Sequence, residues 1–554
     1  MSEPALNQRA SIPAELRTGI GQKLAAATAV RLEQRLHEGD STLWGPAGTP
    51  ELANRLGWLT IHERMLAELD SIEAFAADVR GGGAFDDVVL LGMGGSSLAP
   101  EVLRRAFAGA ASGPRLHVLD STDPAFVNSV QAAIDPARTL FVVSSKSGGT
   151  IEPLSLFAHF HALCPDGQNF VAITDPGSGL AALAAERGFR HTFLGDPDIG
   201  GRYSALSPFG VVPAALMGID VRALLTGATA AWDGTIVDAD DEALGAGIAS
   251  AVTLGVALGA LAGAGRDKLT FAIAETMPGL GLWLEQLVAE STGKHGVGIL
   301  PVADEPVGEP GEYGADRVFA YLSDLDAPDR DLDARVEALA AAGHPVFTIP
   351  TRGAGDLGRV FLLSEIAVAA AGWALEINPF DQPNVQQAKD ATKRVLSAWE
   401  ANGELPALED AGREAIGALL VGSAVPSYVA LMAYAKPSDE LDGAIAELRV
   451  AIRKATGVTT TFGYGPRFLH STGQFHKGGP KTGRFLQLLH DSAGDADIPG
   501  APYSFKTLEE AQAIGDLETL RELGLPAERA RHSGDDPAGA VRAIAAAIAG
   551  ASNG

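Results

Sequence analysis

The sequence has little of several features that would assign it to a specialised class of protein. It holds one cysteine among 554 residues, Cys164, so no disulfide can form within the chain, which fits a reducing compartment. Its 42 lysines and arginines are outnumbered by 69 aspartates and glutamates, which gives a net charge of −27. This acidity argues against non-specific binding to nucleic acid or to an anionic membrane, because both need surplus positive charge. The N-terminus lacks a basic segment followed by an apolar one, so we predict no secretory signal and a cytoplasmic protein.

One run without charged residues, Ala243–Gly265, is long enough to span a bilayer. It consists largely of alanine and glycine, with few leucine, isoleucine or phenylalanine residues. Charged residues flank it on both sides. The run therefore predicts a close-packed helix buried inside a soluble protein, and we expect no membrane partner.

The remaining composition is that of an ordinary globular protein, with 46% hydrophobic and 20% charged residues. At roughly 150 residues per domain, the length predicts three to four structural units. Residues 1–83 are predicted to be helical, because charged and apolar residues interleave at helical spacing around Ile61–Leu66. The glycines at 81–83 then mark a boundary.

From Asp86 onward, short apolar runs alternate with helical segments. The runs that predict strands are Val88–Leu91, Leu116–Leu119, Leu140–Val143, Phe170–Ile173, Leu269–Ile273, Val318–Tyr321 and Pro345–Ile349. Continuous apolar strands at this spacing are typical of a parallel sheet covered by helices on both faces. The predicted fold class is therefore α/β, with two doubly wound parallel-sheet domains over residues 84–265 and 266–400.

Residues 401–554 are predicted to form an extra C-terminal α/β region. It contains a strand-like segment at Tyr428–Met432 and an amphipathic helix at Glu440–Ala455. A loop rich in glycine and histidine is expected at Phe462–Gly483.

A turn after the strand at Phe141–Val143 has the composition of an anion-binding loop. Ser145, Ser147 and Thr150 offer hydroxyls, Lys146 offers an ammonium, and a helix is expected to begin near Ile151, where backbone N–H groups are free. The patterns G-x-x-x-x-G-K-[ST] and G-x-G-x-x-G are both absent, the latter failing at residues 92–97. The loop therefore favours a sugar-type phosphomonoester over a nucleotide, although a turn that merely caps a helix has the same composition.

Five motifs follow one another along the chain: Gly92–Pro100, Ser145–Thr150, Gly200–Ser204, Gln286 with Glu290–Lys294, and Phe380–Val385 with Lys389. Together they resemble the motifs of the glucose-6-phosphate isomerase (phosphoglucose isomerase) family, which has two sugar-isomerase (SIS) domains. Each motif is weak alone, but five in the family's order are a specific signal. The resemblance implies a cofactor-independent aldose–ketose isomerase acting on a small-molecule sugar phosphate, with no metal.

The resemblance also implies a role for individual residues. Glu290 would be the base that moves a proton between C2 and C1 of the sugar. Arg202 would stabilise the enediolate, and Lys389 would assist ring opening. The phosphate would bind to Ser145, Lys146, Ser147 and Thr150, and the sugar would be lined by Gly95, Ser96, Gly201, Gln286 and Gln382.

The ring-opening histidine departs from the family's order. The family has it between the Glu and Lys motifs, but the best match here, Leu469–Gln474, follows Lys389. We assign the role to His470. The late histidine and the extra C-terminal region resemble the isomerase half of bacterial transaldolase–phosphoglucose isomerase fusions. The family implies a homodimer whose histidine comes from the neighbouring subunit, but the position of His470 leaves open that it acts within its own chain.

The expected function is reversible isomerisation of glucose 6-phosphate and fructose 6-phosphate through ring opening and a cis-enediolate. Typical isomerases have a bulkier phosphate loop than Gly148–Gly149 gives here, so a dual phosphoglucose/phosphomannose isomerase is an alternative. A non-catalytic sugar-phosphate-binding regulator is a third interpretation, because SIS domains also serve as binding modules.

Overall fold

The structure is a computed structural model, and it describes residues 9–232, 250–492 and 494–551. It confirms the predicted α/β class, with three separate sheets. The part of the run Ala243–Gly265 that precedes residue 250 lies outside the described residues.

The N-terminal segment is helical except for one short strand. It comprises β1 (Arg9–Ser11), α1 (Ala14–Ala29), α2 (Leu32–His37) and α3 (Ile61–Gly81). The strand pairs antiparallel with Val346–Thr348 of a sheet more than 300 residues away along the chain. The expectation of a wholly helical segment is wrong at this point, because a three-residue strand is too short to show a period of its own.

The first sheet is parallel throughout, in the order β3-β2-β4-β5-β6. Its strands are β2 (Asp87–Gly92), β3 (Arg115–Leu119), β4 (Thr139–Ser144), β5 (Phe170–Thr174) and β6 (His191–Leu194). The helices of this unit are α4 (Leu98–Ala106), α5 (Pro124–Ala133), α6 (Ile151–Leu163), α7 (Gly179–Arg187), α8 (Pro208–Met217) and α9 (Val221–Ala228). Every residue of β2, β4 and β5 is buried, which explains why these strands are continuous apolar runs.

The second sheet has the order β1-β10-β9-β7-β8 and is parallel except for β1. Its remaining strands are β7 (Lys268–Ile273), β8 (Leu300–Val302), β9 (Arg317–Asp324) and β10 (Val346–Thr351). The helices are α10 (Ala251–Gly263), α11 (Leu280–Thr292), α12 (Arg330–Ala341) and α13 (Leu357–Ala374).

The glycines of α10 allow it to pack closely against α13. A Cβ on Gly255 would lie 1.9 Å from the carbonyl oxygen of Ala367, so only glycine fits there. By length and composition the segment Gly353–Ala374 could cross a membrane, but 89% of its apolar window is buried inside the protein. Both apolar helices are therefore packed in the interior of the protein.

The third sheet is also parallel, in the order β12-β11-β13-β14. Its strands are β11 (Tyr428–Tyr434), β12 (Thr459–Tyr464), β13 (Gly483–His490) and β14 (Ala527–His532). The last helices are α14 (Val385–Asn402), α15 (Arg413–Val421), α16 (Asp439–Thr456), α17 (Gly473–Gly478), α18 (Phe505–Glu522) and α19 (Pro537–Ala551).

The predicted loop at Phe462–Gly483 is more structured than expected. It contains the end of β12, a single 3₁₀ turn at Arg467–His470 and the short helix α17. The sequence analysis missed these elements because the segment is rich in glycine, which has a low propensity for both helix and strand. The segment lies against α11 and against the turn after β2, and this places the third unit beside the first two.

Candidate active site

Glu290 lies in the last turn of α11 and its side chain is buried. Gln382 Nε2 donates to Glu290 Oε2 at 3.3 Å, and Arg202 Nη1 lies 3.6 Å from the same oxygen. Burial raises the pKa of Glu290 to about 7, although the positive charge of Arg202 opposes the shift. A carboxyl group with a pKa near neutrality is suited to take up and return a proton.

Arg202 is fully buried on a 3₁₀ turn, Gly201–Tyr203, and it is held at two of its three nitrogens. Nε donates to Ser291 Oγ at 2.7 Å, and Nη2 donates to the carbonyl oxygen of Pro379 at 2.5 Å. Nη1 is buried and has no hydrogen-bond partner among the described residues. A fixed guanidinium with one unused donor beside a carboxylate is preorganised to bind a developing oxyanion.

The glycines beside Arg202 are required by close backbone contacts. A Cβ on Gly95 would lie 1.9 Å from the carbonyl oxygen of Gly201. A Cβ on Gly94, whose φ is +54°, would lie 2.7 Å from Gln286 Nε2 and 2.8 Å from the carbonyl oxygen of His470. Ser96 is buried in the same turn. The glycine-rich turn thus brings three units of the chain together.

His470 reaches the site from the third unit of the same chain. Its Nε2 lies 2.9 Å from Glu152 Oε1. Burial lowers the pKa of His470, but the charge of Glu152 and its hydrogen bond outweigh burial, so the pKa is raised. Burial raises the pKa of Glu152, but the charge and hydrogen bond of His470 outweigh it, so this pKa is lowered. The two side chains form an acid–base pair.

The sequence analysis missed Glu152. It stands two residues after Thr150, in the first turn of α6, and it is buried. The available signal was a carboxylate directly after the phosphate loop, at a helix N-terminus where negative charge is favoured. Its partner histidine is 318 residues away, so the pairing could not be seen in the sequence.

A second histidine near His470 does not share this environment. His476 is buried, and its Nδ1 lies 2.9 Å from Tyr428 Oη. Burial, followed by the charge of Lys477, lowers the pKa of His476 to about 3. This histidine therefore stays neutral at physiological pH and cannot exchange protons there.

Lys389 is exposed on α14, and its charge acts on both Glu152 and His470. Gln286, on α11, donates from Nε2 to the carbonyl oxygen of His470 at 2.7 Å. Gln286 also donates a hydrogen bond to Glu290, one turn further along the same helix, so it links the base to the His470 segment.

Lys294 and Asp381 position the loop that carries Gln382. Lys294 Nζ donates to both the carbonyl oxygen and Oδ1 of Asp381 at 2.7 Å. Burial, followed by the charge of Arg202, lowers the pKa of Lys294 to about 8. Because Arg202 Nη2 also lies 3.3 Å from the carbonyl oxygen of Asp381, two cations fix the loop beside Glu290.

The predicted phosphate loop connects β4 to α6. Ser145 Oγ donates to Thr150 Oγ1 at 3.1 Å, and Ser147 Oγ lies 3.4 Å from the same oxygen, so the three hydroxyls form one cluster. Lys146 Nζ is bound by Asp175 and donates to the carbonyl oxygen of Asp196 at 2.9 Å. The hydroxyls and the start of α6 therefore have the composition of an anion-binding site, whereas the charge of Lys146 is partly neutralised by Asp175.

Direct contacts join Arg202 and Gln382 to Glu290, Gln286 to His470, and His470 to Glu152 at the end of the phosphate loop, whereas Lys146 is held by its own ion pair with Asp175. Within residues 9–232, 250–492 and 494–551, no group of three or more His, Cys, Asp or Glu side chains could hold a metal ion. A buried carboxylate beside a buried guanidinium, facing a histidine–carboxylate pair, defines the class of enzymes that move protons by general acid–base catalysis.

Comparisons with known proteins narrow this class. The family model described as "Phosphoglucose isomerase" matches residues 58–302. A "Glucose-6-phosphate isomerase" of Rubrobacter xylanophilus is 32% identical over 382 residues, which cover 59% of this chain and 86% of that protein. One of Parasynechococcus marenigrum is 31% identical, over 63% of this chain and 70% of that protein. The chain belongs to the phosphoglucose isomerase family.

Solved structures share the fold. A hypothetical protein from Thermus thermophilus matches with a TM-score of 0.55 at 26% identity, over 70% of this chain and 100% of that one. A glucose-6-phosphate isomerase from Chlamydia trachomatis matches with a TM-score of 0.53 at 19% identity, over 69% of this chain and 86% of that one. The family model ends at residue 302, before Lys389 and His470, and the roles of all the site residues stay predictions.

Proposed function

We propose that this chain interconverts glucose 6-phosphate and fructose 6-phosphate. The observation that carries the proposal is the position of Glu290, whose buried carboxylate lies 3.6 Å from Arg202 Nη1, a nitrogen that donates no hydrogen bond among the described residues. A base of this kind can remove a proton from C2 and return it to C1, while the guanidinium stabilises the negative charge of the enediolate.

His470 and Glu152 supply the ring-opening step. The imidazolium donates a proton to the ring oxygen and the ring C–O bond breaks, while the hydroxyl proton on the anomeric carbon leaves to solvent water as the carbonyl forms. His470 then recovers its proton when the product ring closes. The charge of Glu152 keeps the imidazole oriented by a hydrogen bond of 2.9 Å and favours its protonated form.

The phosphate would bind to the hydroxyls of Ser145, Ser147 and Thr150 and to the N-terminus of α6. Such an anchor fixes C1 and C2 of the open chain relative to Glu290. The binding energy of the phosphate is then used to orient the reacting carbons.

We further propose that the protein is a cytoplasmic homodimer that serves glycolysis and gluconeogenesis. Because His470 contacts Glu152 in its own chain, such a dimer would carry complete sites in each subunit.

The test is turnover of fructose 6-phosphate by the purified chain, followed by formation of glucose 6-phosphate and by exchange of the C1 proton with solvent deuterium. Glu290→Gln should lower kcat by roughly 10²- to 10⁴-fold, the contribution of one general base. Glu285→Gln is the matched control, because Glu285 lies on the same helix, is buried, and has a pKa raised to about 8 by burial and then by Asp304.

Each alternative gives a different result in the same assay. Turnover of mannose 6-phosphate at a comparable rate would make the protein a dual phosphoglucose/phosphomannose isomerase. Saturable binding of fructose 6-phosphate without proton exchange would make it a sugar-phosphate-binding regulator. Normal activity of Glu290→Gln would remove the proposed base.

A further inference from the structure

Helix α18 (Phe505–Glu522), in the C-terminal region, presents one face to the residues proposed for ring opening. Gln512, Gly515 and Asp516 are spaced three and four residues apart, so they lie side by side on the helix. All three lie in a part of the chain that follows every motif of the family resemblance.

Gln512 is a direct partner of Glu152. Its Nε2 donates to Glu152 Oε1 at 2.8 Å, and this is the oxygen that lies 2.9 Å from His470 Nε2. The amide of Gln512 is itself oriented, because Thr122 Oγ1 donates to Gln512 Oε1 at 2.7 Å. With its oxygen committed to the hydroxyl of Thr122, the amide must direct its N–H₂ group toward Glu152. Gln512 and Thr122 are both buried.

The neighbouring residues of α18 fix the other parts of the same side. Asp516 Oδ1 accepts from Lys477 Nζ at 2.6 Å, and both side chains are buried. Lys477 lies on α17, which begins three residues after His470. A Cβ on Gly515 would lie 2.9 Å from the backbone nitrogen of Thr392, so α18 packs closely against α14, the helix that carries Lys389.

We infer that Gln512 is a positioning residue for ring opening, and that α18 holds Glu152, the His470 segment and the Lys389 helix in one arrangement. Gln512 touches Glu152 and acts on the sugar only through it. The hydrogen bond keeps the carboxylate charged and pointed at His470, since a donor to the charged form favours that form. The inference rests on the proposed isomerase function.

The test separates ring opening from proton transfer between carbons by using two substrates. Fructose 6-phosphate closes its ring through O5, because O6 carries the phosphate. A 5-deoxyfructose 6-phosphate has no O5 and stays open, so its isomerisation needs Glu290 and Arg202 but no ring opening. Gln512→Leu should lower kcat/KM for fructose 6-phosphate by roughly 10- to 100-fold, which is the loss expected for one hydrogen bond to a charged group. The same variant should retain most of its rate on the open-chain substrate.

Three further variants keep the test decisive. Gln512→Met repeats it with a flexible side chain of similar length. Thr122→Val removes only the hydroxyl that orients the amide, so it should move the ratio of the two rates in the same direction by a smaller factor. Thr519→Val is the control, because Thr519 is buried on the same helix and bonds only to the carbonyl oxygen of Gly515 among the described contacts.

Equal losses on both substrates would make Gln512 a purely structural residue and would overturn the inference. An unchanged ratio in Thr122→Val would do the same, and this variant decides the matter if the Gln512 variants do not fold. If the unaltered protein turns over neither substrate, the proposed isomerase function is wrong. That result is distinct from a failure of the Gln512 inference, which is judged by the ratio of the two rates in active protein.

Discussion

Replacing Arg202 by methionine should change the pH dependence of the reaction as well as its rate. Burial raises the pKa of Glu290 to about 7, and the nearby guanidinium opposes that rise. Without the guanidinium the pKa of Glu290 must move further up. Because the base acts only when deprotonated, the acid limb of kcat/KM, which reports the free enzyme, should move to higher pH.

The size of the shift follows from the distance. Arg202 Nη1 and Glu290 Oε2 are 3.6 Å apart, and both side chains are buried. Two charges about 4 Å apart interact by about 4 kcal/mol at an effective dielectric constant of about 20. At about 1.4 kcal/mol per pKa unit, this corresponds to at most about three units. Water that enters the vacated space reduces the shift, so we expect a displacement of about one to two units.

The same substitution removes the cation that faces the enediolate. Loss of one such group costs roughly 10²- to 10³-fold in kcat. Arg202→Lys separates the two effects, because lysine keeps the positive charge but loses the rigid fork that orients Nη1. The lysine variant should lose rate while its acid limb stays close to that of the unaltered enzyme.

The assay is the pH profile of kcat/KM for fructose 6-phosphate, measured for all three proteins over about pH 5 to pH 10. Thermal melting accompanies it, because Arg202 also holds the carbonyl oxygens of Pro379 and Asp381. An acid limb in Arg202→Met that coincides with that of the unaltered enzyme would refute the reasoning. It would mean that the charge of Arg202 does not act on the group that limits the rate.

Two further predictions concern the glycine-rich turn and the histidines. Gly95→Ala should lower kcat/KM by roughly 100-fold, because its Cβ would lie 1.9 Å from the carbonyl oxygen of Gly201 and must displace the turn that carries Arg202. Steady-state kinetics and a melting curve would measure this effect. An unchanged rate would mean that the turn moves without displacing the guanidinium. His470→Gln should lose turnover of fructose 6-phosphate. His476→Gln should keep turnover but melt at a lower temperature, because His476 is neutral and buried against Tyr428. The reverse pattern would show that the ring-opening histidine is misassigned.

Much of the fold was predictable because it depends on short-range patterns. The buried strands β2, β4 and β5 are continuous apolar runs, and the helix α10 is rich in the glycines that its contact with α13 requires. The short strand β1 was missed, because its pairing with β10 depends on a sheet far along the chain.

The site residues also fall into two groups, those that a local sequence motif reveals and those that only the folded structure reveals. Glu290, Arg202 and the hydroxyls of the phosphate loop sit in local motifs and could be named from the sequence. His470 and His476 are six residues apart in a segment predicted to be one loop, and only their surroundings distinguish them, since one contacts Glu152 and the other contacts Tyr428. Gln512 stands in no motif, and its partners Glu152 and Thr122 are 360 and 390 residues away. Side chains of this kind are found only when the fold has brought them together.

The two buried carboxylates of the site have opposite environments, and this difference assigns their tasks. Glu290 is buried, with Arg202 Nη1 at 3.6 Å and Gln382 Nε2 at 3.3 Å, and burial outweighs its polar neighbours, so its pKa is raised to about 7 and it can exchange a proton near neutrality. Glu152 is also buried, but the charge of His470 and its hydrogen bond of 2.9 Å outweigh burial and lower the pKa of Glu152, while Gln512 donates to the same oxygen at 2.8 Å.

Under the proposed function, the group with the raised pKa serves as the base, and the group with the lowered pKa is the anion that orients His470 and favours its protonated form. The neighbours that create this contrast come from different units, since Arg202 belongs to the first, Glu290 to the second, and both His470 and Gln512 to the third. The ring-opening half of the site thus depends on the C-terminal region, and a chain cut off after α14 would lose His470 and Gln512 together.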